Sequence, residues 1–326
     1  MKIYGNSQVI GITAEMVRKG REPHSLMIHG EKGLGKKAMA KYIAAQLMCE
    51  KHTGTPCGRC RACTMLNHGA HPDFITAASN EKGNYLVEDI REQIVSDAVV
   101  MPNEGDIKVY VIPDLDLSTI TSVQVQNILL KLIEEPPDHT ALILTARSKE
   151  IFLPTIISRC LCLGAVSVTE QESGEYLQEN FPEASAQEIG DAVRAGHGNI
   201  GRCRDYLEKG SFYAAAVLAG RLAGAYITGS EYEMLKALSS ESKKPVIRES
   251  IYLLSEIVRD AGVLASNGKT SPMISCDSTA AAEISRRLTP SMSAGLYDTL
   301  TSYVRRIDAN CNLTLAVSSL CAELSL

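Results

Sequence analysis

Gly30-Glu31-Lys32-Gly33-Leu34-Gly35-Lys36-Lys37 follows the short apolar run Ser25-Leu26-Met27-Ile28-His29 and opens a helical pattern over residues 36–50. No other feature constrains the fold as much as this G-x-x-x-x-G-K spacing set between a strand and a helix. Backbone N–H groups at such a helix start wrap phosphate oxygens, and the lysine reaches the outer phosphates. Gly30, Gly33, Gly35, Lys36 and Lys37 are therefore the candidate nucleotide-binding residues. A loop of this kind belongs at the carboxyl end of a strand in a parallel sheet, where α/β proteins bind their ligands.

The rest of the first half supplies such a sheet. Further apolar runs lie at 73–76, 108–112, 140–145 and 160–163, and a helical stripe of Val125, Ile128, Leu129 and Leu132 spans 122–134 before Pro136-Pro137 stops it. Strands alternating with helices imply βαβ units and a mostly parallel sheet. After Gly164 only helical patterns remain. Thr169 with Glu172 three residues on reads as a capping box for a helix over 169–180. Helices over 186–194 and 200–208 follow, and Lys209-Gly210-Ser211 marks a boundary. Amphipathic segments are then expected at 213–226, 232–238, 245–264, 279–287 and 292–324. The chain ends inside a helical pattern, which leaves no expectation of a disordered interaction tail.

The phosphate loop departs from a hydrolytic one at a single step. The position after Lys36 should hold Ser or Thr, whose hydroxyl ligates Mg²⁺. Here it is Lys37, a residue with three donors and no acceptor. The acidic partner is also altered: the run 108–112 ends in Pro113-Asp114-Leu115-Asp116, with no Asp-Glu pair. Either aspartate can meet a metal, but helix capping or turn formation is the favoured reading, since Asp is a preferred cap.

Four of the chain's ten cysteines, Cys49, Cys57, Cys60 and Cys63, fall close together. Two C-x₂-C spacings with a fourth thiol nearby provide four soft ligands for a tetrahedral Zn²⁺ with no open position, so the ion would be structural. Pro56 and Gly58 suit the knuckle turn. A redox dithiol is the weaker alternative, because thioredoxin-like sites carry one C-x-x-C without further cysteines. His52, His68 and His71 are potential substitute ligands. The other six cysteines sit singly in apolar surroundings and read as small buried hydrophobes.

Leu153-Pro154-Thr155-Ile156-Ile157-Ser158-Arg159-Cys160 and Asn127-Ile128-Leu129-Leu130-Lys131-Leu132-Ile133-Glu134-Glu135-Pro136-Pro137 complete the set of motifs. With the phosphate loop, the four-cysteine insert, Pro23-His24-Ser25 and Ile3-Tyr4-Gly5-Asn6, they occur in the order found in the bacterial clamp-loader subunits of DNA polymerase III. The chain resembles that family over about residues 1–210. It is more similar to the delta-prime type than to the ATP-hydrolysing tau/gamma type, which carries G-K-T/S and an Asp-Glu pair. Gly198-Asn199-Ile200-Gly201-Arg202 likewise has glycine where hydrolytic subunits place a second-sensor arginine, and Arg202 comes one residue late.

The resemblance implies a RecA-like AAA+ domain at 1–165 carrying the zinc module at 49–63, an all-α lid at 166–210 and an all-α collar at 211–326. It implies that Arg159 serves as an arginine finger in trans, with no catalytic group in cis. The loop would hold ATP or ADP without hydrolysis, or nothing. Implied partners are tau/gamma and delta subunits in a hetero-pentamer, with the sliding clamp and primed DNA reached through that assembly.

Composition agrees with a soluble globular chain, at 45% hydrophobic and 22% charged residues. The net charge of −5 excludes a tight stand-alone DNA binder, which needs clustered Lys and Arg to release counterions. No apolar run reaches membrane-spanning length and residues 1–25 hold no signal-peptide core, so the chain is expected in the cytosol. An ATP-hydrolysing tau/gamma-type subunit is the nearest competing function. A zinc-dependent thiol enzyme or a small-molecule kinase comes from a different class.

Overall fold

A computed structural model describes residues 1–80, 84–115, 120–266 and 273–324, with the side chains of 120–122 excepted. The chain divides into two compact units, 1–168 and 169–326.

The first unit is an α/β layer structure. Strands β1 (Ser25–His29), β2 (Phe74–Thr76), β3 (Lys108–Ile112), β4 (Thr140–Ala146) and β5 (Leu161–Gly164) form one sheet in the order β2-β3-β4-β1-β5. All four neighbouring pairs are parallel. Parallel strands need crossovers, and helices α1 (Ser7–Arg18), α2 (Lys36–Met48), α3 (Arg61–His68), α4 (Val87–Ile90), α5 (Ile120–Glu134) and α6 (Pro154–Ile157) surround them. A π-helical turn and a 3₁₀ turn, Arg91–Ser96 and Asp97–Val99, extend α4.

Alternation along the strands divides the core into two layers. Leu26, Ile28, Val109, Val111, Ala141 and Ile143 face the layer of α1, α2 and α3, where Val9, Val17, Met39, Ile43, Leu47 and Leu66 are buried. Met27, Tyr110, Ile112, Leu142 and Leu144 face the opposite layer, packing with Ile90, Ile94, Val125, Leu129 and Ile156. A sheet covered on both faces explains why β1, β3 and β4 read as continuous apolar runs. Each expected strand is present within a residue or two of its place. Helix α1 was not anticipated, because its short stripe of Val9, Thr13 and Val17 includes a polar residue.

The second unit is helical: α7 (Glu170–Asn180), α8 (Ala186–Gly196), α9 (Ile200–Leu207), α10 (Ser211–Thr228), α11 (Glu231–Ser239), α12 (Lys244–Ala265), α13 (Ser278–Ser285), α14 (Pro290–Asp308) and α15 (Leu313–Leu324). The Thr169/Glu172 capping box forms as expected. Two apolar clusters occur in this unit: a small one around Leu177, Ile189, Val193 and Cys203, and a large one centred on α12. The buried Asp260 of α12 pairs with Arg259 at 2.8 Å and accepts from the Ile274 and Ser275 N–H groups.

The expected single helix over 292–324 is two. Asn310 takes the left-handed conformation (φ 60°), the Cys311 N–H turns back to the Arg306 carbonyl, and Asn312 accepts from the Leu315 N–H to open α15. Asparagine tolerates that backbone region at low cost, so the chain breaks there despite its apolar periodicity. The six single cysteines also differ from the expectation: Cys160, Cys203 and Cys321 are buried, whereas Cys162, Cys276 and Cys311 are only partly so. Among the described residues no helix is long and apolar enough to cross a membrane.

Candidate functional site

The phosphate loop leaves β1 at its carboxyl end and enters α2. Gly30, Gly33 and Gly35 all have positive φ, at 149°, 94° and 78°. At Gly30 any side chain would meet the Ala165 carbonyl, 2.7 Å from an ideal Cβ, so the strand can turn here only as glycine. Lys36 opens α2 but folds inward. Its ammonium donates to the carbonyls of Gly30 (2.7 Å) and Glu31 (2.8 Å), and the residue is only 5% exposed.

Lys37 faces outward and meets Asp114, Nζ to Oδ2, at 2.9 Å. Asp114 follows the end of β3 in a turn with φ 50°. Its N–H donates to Thr145 Oγ1 at 2.9 Å, the Leu115 N–H donates to the Thr145 carbonyl, and the Tyr85 hydroxyl donates to the Pro113 carbonyl. Burial, helped by the nearby Asp114 charge, pushes the Tyr85 hydroxyl well above its ordinary pKa, so it remains a donor. The expected turn role of Asp114 is therefore present, and its carboxylate is given to Lys37. Asp116 lies outside the described residues.

The cysteine group assembles at the other end of the same helix. Cys49 leaves α2 in extended conformation, and Cys60 is the N-cap of α3, accepting from the Cys63 N–H. The four sulfurs lie within 4.8 Å of one another. Knuckle N–H groups point at them: Cys57 N to Cys49 Sγ at 3.4 Å and Cys60 N to Cys57 Sγ at 3.3 Å. Cys49 and Cys60 sulfurs stand 4.0 Å apart, far beyond the ~2.05 Å of a disulfide. Gly58 takes φ 72° in the knuckle.

The thiols are electrostatically unequal. Backbone N–H groups of Arg59 and Cys60 draw Cys57 down to about 6, while burial pushes Cys63 up to about 12 and raises Cys49. A divalent cation removes that disparity by taking all four as thiolates. The donor set thus fits a closed tetrahedral site. None of the three histidines joins the group among the described residues; His71 instead accepts from the Asp73 N–H.

Sequence reasoning missed what clamps this module to the sheet layer. Gln46, 1% exposed, donates to the carbonyls of Gly54 (2.9 Å) and Ile10 (3.2 Å) and accepts from Thr13 Oγ1 at 2.6 Å. Gly54 has φ 75°, and a Cβ there would lie 2.3 Å from the Ala14 carbonyl. A polar residue inside the apolar stripe of α2 was the available signal. On the outer side Arg61 pairs with Glu104 at 2.7 Å, and the Glu104 N–H donates to the buried Asp73.

Arg159 lies between α6 and β5. Its guanidinium donates to the Thr155 carbonyl (3.2 Å) and Ser158 Oγ (3.3 Å) and pairs with Glu134 at 3.2 Å, with its side chain 43% exposed. Strand register separates it from the phosphate loop. Leu161 aligns with Leu26 and Gly164 with His29, so Arg159 precedes the amino end of β5 while the loop follows the carboxyl end of β1. Some six residues of strand rise separate them, about 20 Å. In the helical unit, Asn199 caps α9, and Arg202 pairs with Glu249 at 3.3 Å and lies over the Phe212 ring.

Residues 5–166 match the family described as DNA polymerase III, delta subunit. The chain is 30% identical over 182 residues to the delta′ subunit of DNA polymerase III from Pseudomonas aeruginosa, covering 56% of this chain and 55% of that one. It is 30% identical over 223 residues to the Escherichia coli delta′ subunit, covering 68% and 66%. Against the Escherichia coli tau subunit it is 35% identical over 162 residues, covering 49% and 24%. The chain thus spans between half and two thirds of the length of these delta′ relatives. A solved gamma-subunit-related protein of DNA polymerase III from Thermotoga maritima aligns with a TM-score of 0.46 at 17% identity, covering 97% of this chain and 98% of that one.

Proposed function

The chain belongs to the DNA polymerase III delta-subunit family through residues 5–166, and we propose from that premise that it is a clamp-loader subunit of the delta-prime type. It sits in a hetero-pentamer with tau/gamma and delta subunits and helps to load the sliding clamp onto primed DNA. Residues 1–165 are its AAA+ domain, 166–210 a lid and 211–326 the collar that holds the ring together. Tyr232, Met292 and Leu315, each more than half exposed in the last segment, are available for such packing. The Cys49, Cys57, Cys60 and Cys63 module holds one structural Zn²⁺.

One observation supports a role in trans. Arg159 stands about 20 Å in strand register from the chain's own phosphate loop, too far for its side chain to reach. Its guanidinium, 43% exposed and paired with Glu134 at the surface, supports a role on a nucleotide held by another subunit. A planar, permanently charged group stabilises charge developing on a transferring γ-phosphoryl, and fingers supplied in this way are worth roughly 10³–10⁵ in rate at the site they serve. Similarity alone does not separate delta-prime from tau/gamma. Lys37 favours delta-prime, because it puts a cation where hydrolytic subunits hold a metal ligand.

The test is ATP turnover by a loader reconstituted with clamp and primed DNA, carrying the wild-type chain or Arg159→Ala. The isolated chain is expected to be inactive. Arg159→Ala is expected to slow the assembled complex by about tenfold or more while size-exclusion chromatography still shows it intact. Turnover by the isolated chain would favour the tau/gamma-type reading. An unchanged rate in an intact complex would make Arg159 structural.

A further inference from the structure

A phosphate loop of this spacing ordinarily works with a divalent cation. A hydroxyl after the loop lysine and an acid closing the neighbouring strand hold that ion. Among the described residues the two positions are Lys37 and Asp114, and this pair does not fit a metal. Mg²⁺ requires oxygen ligands, and an ammonium offers none. The Lys37 ammonium instead lies 2.9 Å from Asp114 Oδ2.

The acid itself is built with care. The turn that carries it is anchored by hydrogen bonds to both the hydroxyl and the carbonyl of Thr145, and by the Tyr85 hydroxyl on the Pro113 carbonyl. Asp114 is held there in left-handed conformation, a region that aspartate, like asparagine, enters at low cost. The scaffold that presents a carboxylate to the first turn of α2 is therefore intact. What has changed is the charge it meets, a single positive charge on the protein in place of a double one from solution.

We infer that the Lys37 ammonium stands in for the divalent cation on Asp114, so that this loop excludes Mg²⁺ and any phosphate ligand it holds is bound without metal. The inference deepens the reading of a non-hydrolytic loop. It does not depend on Arg159, which lies at the other end of the strands. A divalent ion approaching Asp114 must displace an ammonium already in contact and then lie beside it uncompensated. Removing Lys37 frees the acid, and restoring a hydroxyl supplies the second ligand.

Equilibrium dialysis of the full-length protein with Mn²⁺ and ATP reads this directly, comparing wild type, Lys37→Thr, Lys37→Ser and Lys37→Thr/Asp114→Asn. Thermal melting without ligand checks that each variant is folded. Wild type should retain no ATP-dependent Mn²⁺, and its melting response to ATP should be the same with and without added Mg²⁺. Lys37→Thr and Lys37→Ser should each retain about one Mn²⁺ per chain in the presence of ATP, and Asp114→Asn should abolish that gain. ATP-dependent Mn²⁺ retention by wild type would overturn the inference. So would folded hydroxyl variants that gain none, since Lys37 would then not be what closes the site. Loss of the Arg159→Ala effect on an assembled loader would refute the functional reading and leave this result untouched.

Discussion

Helix α2 carries a cation-handling device at each end, and the two ends are built differently. At Cys49 the sequence brings four sulfurs within 4.8 Å and aims backbone N–H groups at them, a donor set that fits an ion from solution. At Lys36 and Lys37 it keeps the glycine geometry of a phosphate loop but fills the charge positions with its own side chains. Residues whose ligand comes from outside must converge and stay poor in internal partners. Residues that satisfy one another, as Lys37 and Asp114 do, close the site.

The sharpest way to break this contrast is at the cysteine end. Cys60→Ser removes a thiolate ligand while leaving a side chain that still caps α3. Structural zinc contributes on the order of 10 kcal/mol of apparent binding free energy, so the variant should lose its metal and its order over residues 49–68. Zinc content and hydrogen exchange across that segment check the outcome. Gly54→Ala comes next. A left-handed backbone and a Cβ 2.3 Å from the Ala14 carbonyl should destabilise the first unit by about 2 kcal/mol or more, seen as a lowered melting temperature with zinc retained. Gln46→Leu should cost about 1–3 kcal/mol by orphaning the Gly54 carbonyl, while the Thr13 hydroxyl keeps the Val9 and Ile10 carbonyls as partners.

Acid should expose a further asymmetry. Burial opposes the charge on Asp73, yet the Asn103 and Glu104 N–H groups and the Asn103 amide outweigh it and hold the carboxyl below its ordinary pKa. A depressed carboxylate stabilises the fold above its unfolded pKa, near 4, and that contribution is lost as pH falls through the folded value. Asp73→Asn should flatten the loss of stability below about pH 4 in pH-dependent melting. The smallest effect belongs to the phosphate end. Lys37 and Asp114 have side-chain exposures of 66% and 29%, so Lys37→Thr should change stability by no more than about 1 kcal/mol. A larger loss would mean that the pair holds the turn after β3 and not merely the metal position.

The sheet was legible because both its faces are buried: strands such as β3 and β4 are short, mostly apolar and bounded by turn residues. The glycines of the phosphate loop and the Cys60–Cys63 spacing were legible because their geometry is local. Long-range polar contacts were not. Gln46 shows only as a polar residue in an apolar stripe, with no partner named, until Gly54 and Thr13 are placed beside it, and Lys37 reads as a lost ligand until β3 delivers Asp114. The break at Asn310 was hidden for another reason. The apolar period continues across it through Val304, Ile307, Leu313 and Val317, and one left-handed asparagine outweighs that pattern.

Native mass spectrometry of the full-length protein with ATP and Mg²⁺ tests most directly the claim that only one end of α2 takes up a cation. The account predicts a chain carrying one Zn²⁺, lost in Cys60→Ser, and no adduct containing Mg²⁺. A wild-type species carrying Mg²⁺ with ATP, or one without zinc and still ordered across residues 49–68, would contradict it.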